Sequence, residues 1–130
     1  MKDRYLVDTN VFIRMFLWDN LSQYESAVAL FTEAKQGKKE ILVIPEIFIE
    51  IDYVLSKVYK LPKQKIIEYL EHIMATPYVE IVERESVVEM LELYKQSSIK
   101  LVDGYLFVVA KIKDAQVFSF DRDFRKLQSN

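Results

Sequence analysis

Four acidic residues of this 130-residue chain lie at or inside apolar runs, and their side chains are the best suited to chemistry. They are Asp8, Glu50, Asp103 and Asp121. Glu50 lies within the apolar run 47–51, and Asp103 lies within the run 99–106. A carboxylate in such surroundings is costly to bury unless it is paired or bound to a metal. These four residues are therefore the first candidates for a functional site.

The rest of the composition limits which chemistry these carboxylates can support. The chain has no cysteine and a single histidine, His72, which excludes thiol nucleophiles, zinc ribbons and metal sites built on several imidazoles. Converging carboxylates repel one another and need a cation, and an all-oxygen site suits Mg²⁺, Mn²⁺ or Ca²⁺. Mg²⁺ held by carboxylates and substrate phosphates suits phosphodiester hydrolysis. The residues alone predict an acidic metal site without naming the reaction.

The length, composition and net charge of the chain limit the class of protein to which it can belong. With 51% hydrophobic and 29% charged residues, the chain has the composition of one globular domain, which we expect to span residues 1–130. The net charge of −2 excludes a chain-wide basic surface for nucleic acid but not a local basic patch. No targeting segment and no run of about 18 apolar residues occurs, so we expect a cytoplasmic protein with no membrane span.

Short β-like runs alternate with longer helical patterns along the chain. The predicted strands are 5–7, 41–44, 78–82 and 115–119. The predicted helices, about seven, are 11–18, 22–34, 46–58, 62–75, 86–97, 101–113 and one that starts at Asp121. The segment 101–113 is ambiguous, because its β-branched residues favour a strand whereas its length favours a buried helix. This alternation is typical of a parallel α/β sheet, whose ligands bind beyond the carboxyl ends of the strands. Asp8, Asp121 and the helix with Glu50 each follow a strand.

Each acidic residue also has a purely structural interpretation. The three aspartates are good caps for the helices that they begin, and Glu50 is equally suited to a solvated or salt-bridged helix position. Ser22 with Glu25 and Ser86 with Glu89 have the spacing of capping boxes, which predicts two helix starts. At this point both the structural and the functional interpretations stay open.

Four segments that carry the acidic residues resemble the motifs of the PIN domain family. In chain order they are YLVDTNVFI at 5–13, IPEIFIEIDYVL at 44–55, LVDGYL at 101–106 and VFSFDRDF at 117–124. The resemblance covers nearly the whole chain, in the order and spacing of the family. Each motif is short, and the specificity comes from finding all four together.

The resemblance implies a fold and an activity. The fold is an α/β three-layer sandwich with a four- or five-stranded parallel sheet flanked by about seven helices. The activity is that of a ribonuclease dependent on Mg²⁺ or Mn²⁺, and a stand-alone domain of this size is most similar to VapC-type toxins of toxin–antitoxin pairs. RNA, a cognate antitoxin and a second copy of the chain are the partners that this resemblance implies.

The resemblance also assigns roles by position. Asp8, Asp103 and Asp121 would hold the metal, and Glu50 would complete what we call the acidic quartet. The residues expected to support the quartet are Thr9, Asn10, Ser119 and Asp123. Ser119 stands where the family more often has threonine, and Gly104 stands where alanine is common; neither departure is expected to change the chemistry.

Two other functions remain open from the sequence. A phosphatase or phosphotransferase would use Asp8 as its nucleophile, but Asn10 stands where such enzymes usually have a second aspartate. A non-catalytic module would keep the fold and only bind RNA or a protein, although the complete quartet speaks against it.

A few residues outside the quartet were also considered for functional contacts. We expect His72 to be structural or solvent-facing, and Trp18 and Tyr59 to be the aromatic residues best placed for exposed contacts. A lysine cluster that follows the Glu50 helix is either a solvated face or a guide for the RNA backbone. Its members are Lys57, Lys60, Lys63 and Lys65.

Overall fold

The structure is a computed structural model that describes residues 2–122. The chain divides into two compact units, Met1–Val82 and Glu83–Asn130. The described elements are β1 (Asp3–Leu6), α1 (Thr9–Leu17), α2 (Leu21–Lys35), β2 (Lys39–Val43), α3 (Pro45–Lys57), α4 (Lys63–Ala75), β3 (Val79–Ile81), α5 (Arg84–Gln96) and α6 (Leu101–Ile112). Among them, no helix has the length and apolar character needed to cross a bilayer. A single domain over residues 1–130 stays a prediction.

The first unit is built on a parallel sheet with the strand order β1-β2-β3. Tyr5 lies opposite Ile41, and Ile41 lies opposite Val79. Parallel strands need crossover connections, and the helix pairs α1–α2 and α3–α4 supply them. The carboxyl ends of β1 and β2 therefore lie at one edge of the sheet, where α1 and α3 begin.

The core of the first unit comes from the central strand and from one face of each helix. Ile41 and Val43 of β2 are buried, as are Phe48, Ile51 and Leu55 of α3. The three helix residues follow the spacing of one helical face, which places the apolar stripe of α3 inward. The intervening positions of α3 are left to face solvent.

Helix ends in the first unit are closed by specific hydrogen bonds. Asn20 caps α2, with its Oδ1 accepting the amide of Gln23 at 3.0 Å. At the other end Gly37 takes a φ of +80°, a left-handed conformation that suits glycine. The amide of Gly37 donates to the carbonyl of Ala34, and that of Lys38 donates to the carbonyl of Glu33. These two bonds form a Schellman motif.

Both predicted capping boxes were wrong. Helix α2 begins at Leu21, because Asn20 caps it ahead of Ser22. Helix α5 begins at Arg84, so Ser86 lies inside its first turn and is buried. Capping-box spacing therefore placed each helix start a little too late along the chain.

The second unit packs α5 against α6. The two helices lie close together at Gly104, since a Cβ built there would lie 3.1 Å from the carbonyl oxygen of Met90. Ile99 is buried beside it, with Leu93, Phe107 and Val117 packed around Ile99. Glycine at position 104 thus allows the two helix backbones to approach each other.

The predicted strand at 115–119 was wrong: among residues 2–122 the sheet has three strands, not four or five, and there are six helices. Phe118 and Phe120 are each 87% exposed, and this segment makes no strand pairing. A strand exists only through hydrogen bonds to a neighbour, whereas a β-like sequence reports only side-chain preference. The helix predicted from Asp121 falls almost wholly outside the described residues.

Larger side chains at position 104 test the close approach of α5 and α6. We expect Gly104→Val to lower the free energy of unfolding by about 1–3 kcal/mol, because the added methyl groups overpack against Met90. Gly104→Ala should change it less, because a helix-propensity gain of up to about 1 kcal/mol offsets the strain. Urea denaturation followed by circular dichroism measures both variants. A valine variant as stable as the parent would contradict the close approach.

Candidate functional site

Asp8 lies directly beyond β1 and caps α1. Its Oδ1 accepts the amide of Asn10 at 2.9 Å, and the side chain is exposed to solvent. The cap interpretation of Asp8 is therefore confirmed. A carboxylate at a helix N-terminus is also favoured by the helix dipole, and the Asn10 amide fixes its orientation. The residue can therefore both cap α1 and present oxygen ligands.

Thr9, the first residue of α1, is buried to 4% exposure. Its hydroxyl oxygen has no hydrogen-bond partner among the described residues. A buried hydroxyl without a partner costs about 1–3 kcal/mol. An unsatisfied polar atom directly beside Asp8 is what a site that binds a polar group would contain.

Glu50 lies on α3 and faces solvent, as the solvated interpretation predicted. Its apolar neighbours do not bury it, because Phe48 and Ile51 occupy the inward face of the helix. Helices α1 and α3 pack against each other. The helix that Asp8 caps and the helix that carries Glu50 are therefore packed together within the first unit.

Asp103 and Asp121 belong to the second unit. Asp103 lies in the first turn of α6, where its Oδ2 accepts the amide of Lys100 at 3.3 Å. Asp121 is exposed, and its amide donates to the Ser119 hydroxyl at 3.0 Å. The hydroxyl of Ser119 thus braces the backbone of Asp121, a role that threonine would fill equally well. Asp123, the remaining supporting residue, lies outside the described part of the chain.

The donor chemistry of the acidic quartet fits a hard divalent cation, because all of its ligands are carboxylate oxygens. The buried, unpartnered hydroxyl of Thr9 beside Asp8 agrees with a polar occupant there. Within residues 2–122, however, no three histidine or acidic side chains are grouped closely enough to hold an ion.

An open groove runs between α1 and α2, starting at Asp8. It encloses about 470 Å³, and its lining mixes polar and apolar side chains. The lining residues are Asp8, Asn10, Val11, Arg14, Ser22, Gln23, Ser26, Ala27 and Leu30. Amide, hydroxyl and guanidinium groups therefore extend from the candidate catalytic aspartate along one face of the first unit.

Sequence analysis missed an ion-paired network beside this groove. Arg14 Nη1 lies 2.8 Å from Asp19 Oδ1, and Arg14 Nε donates to Gln23 Oε1 at 2.7 Å. The Tyr59 hydroxyl donates to Asp19 Oδ2 at 2.7 Å and accepts from Arg14 Nη1 at 3.4 Å. Tyr59 is 45 positions from Arg14, so spacing could not have joined them. The short separation of the opposite charges Arg14 and Asp19, five positions apart, was the available signal.

The network shifts the pKa values of its two charged members, Asp19 and Arg14. The hydrogen bond from Tyr59, aided by Arg14, holds the pKa of Asp19 below its ordinary value. The same hydroxyl, with Asp19, raises the pKa of Arg14. Both groups are therefore charged at neutral pH, and the network ties α1 to the segment that follows α3.

The remaining candidates are less suited to chemistry. His72 is exposed near the end of α4 and borders a narrow aromatic cleft of about 50 Å³. Lys65 lies 3.5 Å from Glu68 and over the ring of Tyr69. Burial lowers the pKa of Lys63, with Asp52 opposing the shift. The lysine cluster is thus partly engaged within its own helix.

Comparison with known proteins agrees with the motifs. The family model described as PIN domain matches residues 5–130. A VapC ribonuclease from Aquifex aeolicus (strain VF5) is 29% identical over 123 residues, which cover 94% of this chain and 90% of that protein. The similarity therefore extends over both units and all four motifs.

Replacing Thr9 tests whether its hydroxyl lacks a partner. We expect Thr9→Val to leave the free energy of unfolding unchanged or raise it by about 1 kcal/mol, since it removes an unsatisfied polar atom at constant shape. Thr9→Ser, which keeps the hydroxyl and loses a buried methyl, should lower it by about 1 kcal/mol. Thermal denaturation of both variants gives the comparison. A clear loss of stability in Thr9→Val would reveal a bonded hydroxyl.

Asp19 should make stability depend on pH in the acid range. Its pKa is lower in the folded than in the unfolded chain, so its contribution is present above about pH 4 and is lost as pH falls. We expect Asp19→Asn to lose less stability than the parent between about pH 5 and pH 2.

The matched control is Asp114→Asn, at an exposed aspartate that makes no ion pair with any residue in 2–122. Melting temperatures across the pH series measure both variants. Parallel curves for Asp19→Asn and the parent would refute the proton linkage.

Proposed function

The chain belongs to the PIN domain family, and we propose that it is an Mg²⁺-dependent endoribonuclease that hydrolyses RNA phosphodiester bonds. One observation carries the proposal: the chain is similar along 94% of its length to a VapC ribonuclease and has all four acidic residues of the motif pattern. A chain that had lost catalysis would be free to lose at least one of them.

The proposed site consists of the acidic quartet. Asp8, Asp103 and Asp121 would hold Mg²⁺, or Mn²⁺ in its place, and Glu50 would complete the set. The proposed supporting residues are Thr9, Asn10, Ser119 and Asp123. Asp8 and Glu50 come from the first unit, and Asp103 and Asp121 come from the second. The proposal therefore requires both units for activity.

The chain's own residues prepare the reaction in three ways. The amide of Asn10 orients the Asp8 carboxylate, and the hydroxyl of Ser119 steadies the backbone at Asp121. Glu50, exposed near the middle of the helix that packs on α1, is available to accept a proton from the attacking water. The N-terminus of α1 offers a positive dipole end to a phosphate near Asp8.

A bound divalent ion supplies Lewis acidity, which lowers the pKa of water and offsets charge on the phosphoryl group. No protein nucleophile is needed for this chemistry. The chain has no cysteine, and its one histidine is exposed near the end of α4, so it supplies no thiol and no histidine pair.

The proposal extends to partners and location. The chain would act in the cytoplasm as the toxin of a toxin–antitoxin pair, with a cognate antitoxin and a second copy of itself as protein partners. Large apolar side chains exposed in the first unit, among them Tyr53 and Val58 of the α3 region, offer surface for such contacts. The alternative is a non-catalytic PIN-like module that binds RNA or protein.

Cleavage of RNA by the purified chain tests the enzyme proposal. We expect a mixed pool of transfer, ribosomal and messenger RNA to be cut in Mg²⁺ or Mn²⁺ and to stay intact in EDTA. Each substitution Asp8→Asn, Glu50→Gln, Asp103→Asn and Asp121→Asn should lower the cleavage rate by at least about 100-fold, because charge stabilisation at the phosphate is lost. Calorimetric titration with Mn²⁺ should show weaker binding in Asp8→Asn.

Asp114→Asn is the control and should cut at the parental rate. Equal cutting by Asp8→Asn and the parent would point to a contaminating nuclease and defeat the proposal. RNA binding without cutting by any variant, together with no heat of Mn²⁺ binding, would favour the non-catalytic module.

A further inference from the structure

Two turns of the first unit, far apart along the chain, are joined by side chains. The turn between α1 and α2 contains Asp19, and the turn between α3 and α4 contains Tyr59. The Tyr59 hydroxyl donates to Asp19 Oδ2 at 2.7 Å. Arg14 of α1 donates to both carboxylate oxygens of Asp19, at 2.8 and 3.0 Å. One carboxylate therefore connects the last turn of α1 to the segment that follows α3.

The backbone of both turns is left-handed at a residue beside this carboxylate or its partner. Trp18, next to Asp19, has a φ of +57°, and Lys60, next to Tyr59, has a φ of +58°. Neither residue is glycine, so each conformation is strained and persists only where its surroundings fix it. Both turns thus have a defined geometry, which brings the side chains of Asp19 and Tyr59 within hydrogen-bond distance.

The side chains of Arg14, Asp19 and Tyr59, which we call the latch, are partly shielded from water. Arg14 and Asp19 are 23% and 38% exposed, and Tyr59 is half-buried. Arg14 Nε also donates to Gln23 Oε1 of α2 at 2.7 Å, which fixes the guanidinium from a second side. Charge-assisted hydrogen bonds in such surroundings hold more firmly than an isolated ion pair in open solvent.

The helices that the latch joins are those of two candidate catalytic residues. Asp8 caps the start of α1, and Glu50 lies on α3. The two helices pack against each other. Helix α1 has nine residues, a length of about 14 Å, and a helix this short moves as a rod. A change of tilt at the end held by the latch therefore displaces the end that carries Asp8.

We propose that the latch sets the tilt of α1 against α3 and so positions Asp8 relative to Glu50. This proposal rests on the proposed function, in which both carboxylates take part in the reaction. Asp19 and Tyr59 are positioning residues, because they act through the two helices and not on the reacting atoms. A displacement of about 1 Å at reacting groups can cost about 100-fold in rate, so a small change of tilt is enough to matter.

The kinetics of RNA cleavage by the full chain in Mg²⁺ test the positioning role. We expect Asp19→Ala and Tyr59→Phe each to lower kcat by about 10- to 100-fold and to leave KM nearly unchanged, because the latch acts on geometry and not on RNA binding. The double variant should be no slower than Asp19→Ala, since the two residues act as one unit. Asp19→Asn should lose less, because its carboxamide oxygen can still accept a hydrogen bond.

The matched control is Glu40→Ala, which removes an ion pair of equal length from the first unit. Glu40 Oε2 lies 2.8 Å from Arg4 Nε, and this pair joins β1 to β2 instead of joining two turns. We expect Glu40→Ala to cut RNA at the parental rate. All rates are measured at a temperature at which circular dichroism shows every variant to be folded.

The spacing of the two helix starts can be measured without catalysis. The chain has no cysteine, so nitroxide labels attach only at the introduced pair Asn10→Cys and Glu46→Cys, two exposed positions in the first turns of α1 and α3. Electron paramagnetic resonance then gives the distance between the labels. We expect Asp19→Ala to shift or broaden the distribution of this distance, and Glu40→Ala to leave it as in the parent.

Three outcomes would overturn the proposal: parental kcat in Asp19→Ala and Tyr59→Phe, an unchanged label distance in Asp19→Ala, or an equal loss of rate in Glu40→Ala. Failure of the proposed function is distinguishable. If the parent cuts no RNA, the label distance alone decides whether the latch sets the helix spacing. If the parent cuts RNA and the latch variants cut it as fast, the nuclease stands and the latch is only structural.

Discussion

The parallel pairing of β2 with both of its neighbours is the constraint on which the first unit depends. Strand β2 hydrogen-bonds to β1 on one side and to β3 on the other, with all three strands running in the same direction. Parallel strands cannot be joined by tight turns, so a helical crossover must leave each strand at the same edge. That edge is where the chain places Asp8 and, one turn into α3, Glu50. The position of both carboxylates thus follows from the direction of the strands.

Around the candidate site, exposed carboxylates lie directly beside buried side chains in the sequence. Thr9 is buried while Asp8 beside it is exposed, and Phe48 and Ile51 are buried while Glu50 is exposed. Because the charged groups stay in solvent, the fold avoids the cost of desolvating them. The neighbouring buried side chains hold the backbone that presents them. This division lets exposed carboxylates coexist with an ordinary apolar core.

Sequence reasoning succeeded where the determining interactions are local. Three of the four predicted strands and the first five helices were confirmed, because apolar periodicity reports directly which face of an element is buried. The ambiguous segment 101–113 is a helix over Leu101–Ile112, as its length favoured. It failed at 115–119, because a strand depends on a partner that the segment's own residues do not specify. It also failed at the two capping boxes, because each helix begins earlier than its capping box predicted. The N-cap of α2 is Asn20, and the N-cap of α5 is Glu83, whose backbone is in the left-handed conformation.

The same contrast between short-range and long-range interactions holds for the candidate site. The cap geometry of Asp8 is short-range, and the sequence offered it as one of two interpretations. The hydrogen bond from the Asp121 amide to Ser119 is also short-range, and the family resemblance had marked Ser119 as a supporting residue. The Arg14–Asp19–Tyr59 network joins residues from two separate turns, and nothing in the residues near Arg14 identifies Tyr59. Side-chain networks of this kind depend on tertiary packing, and for that reason only the structure revealed this one.

The strand β1 has a consequence for handling the protein. Among the described strands it pairs with β2 alone, and all four of its residues are exposed, with Leu6 at 70%. An unpaired strand edge is a template for intermolecular β-pairing. The ion pair between Arg4 and Glu40 places charge on this strand, which counters such pairing. A neutral substitution at Arg4 would remove that charge, and we expect it to favour aggregation of the folded protein, even though Arg4 lies far along the chain from most of the acidic quartet.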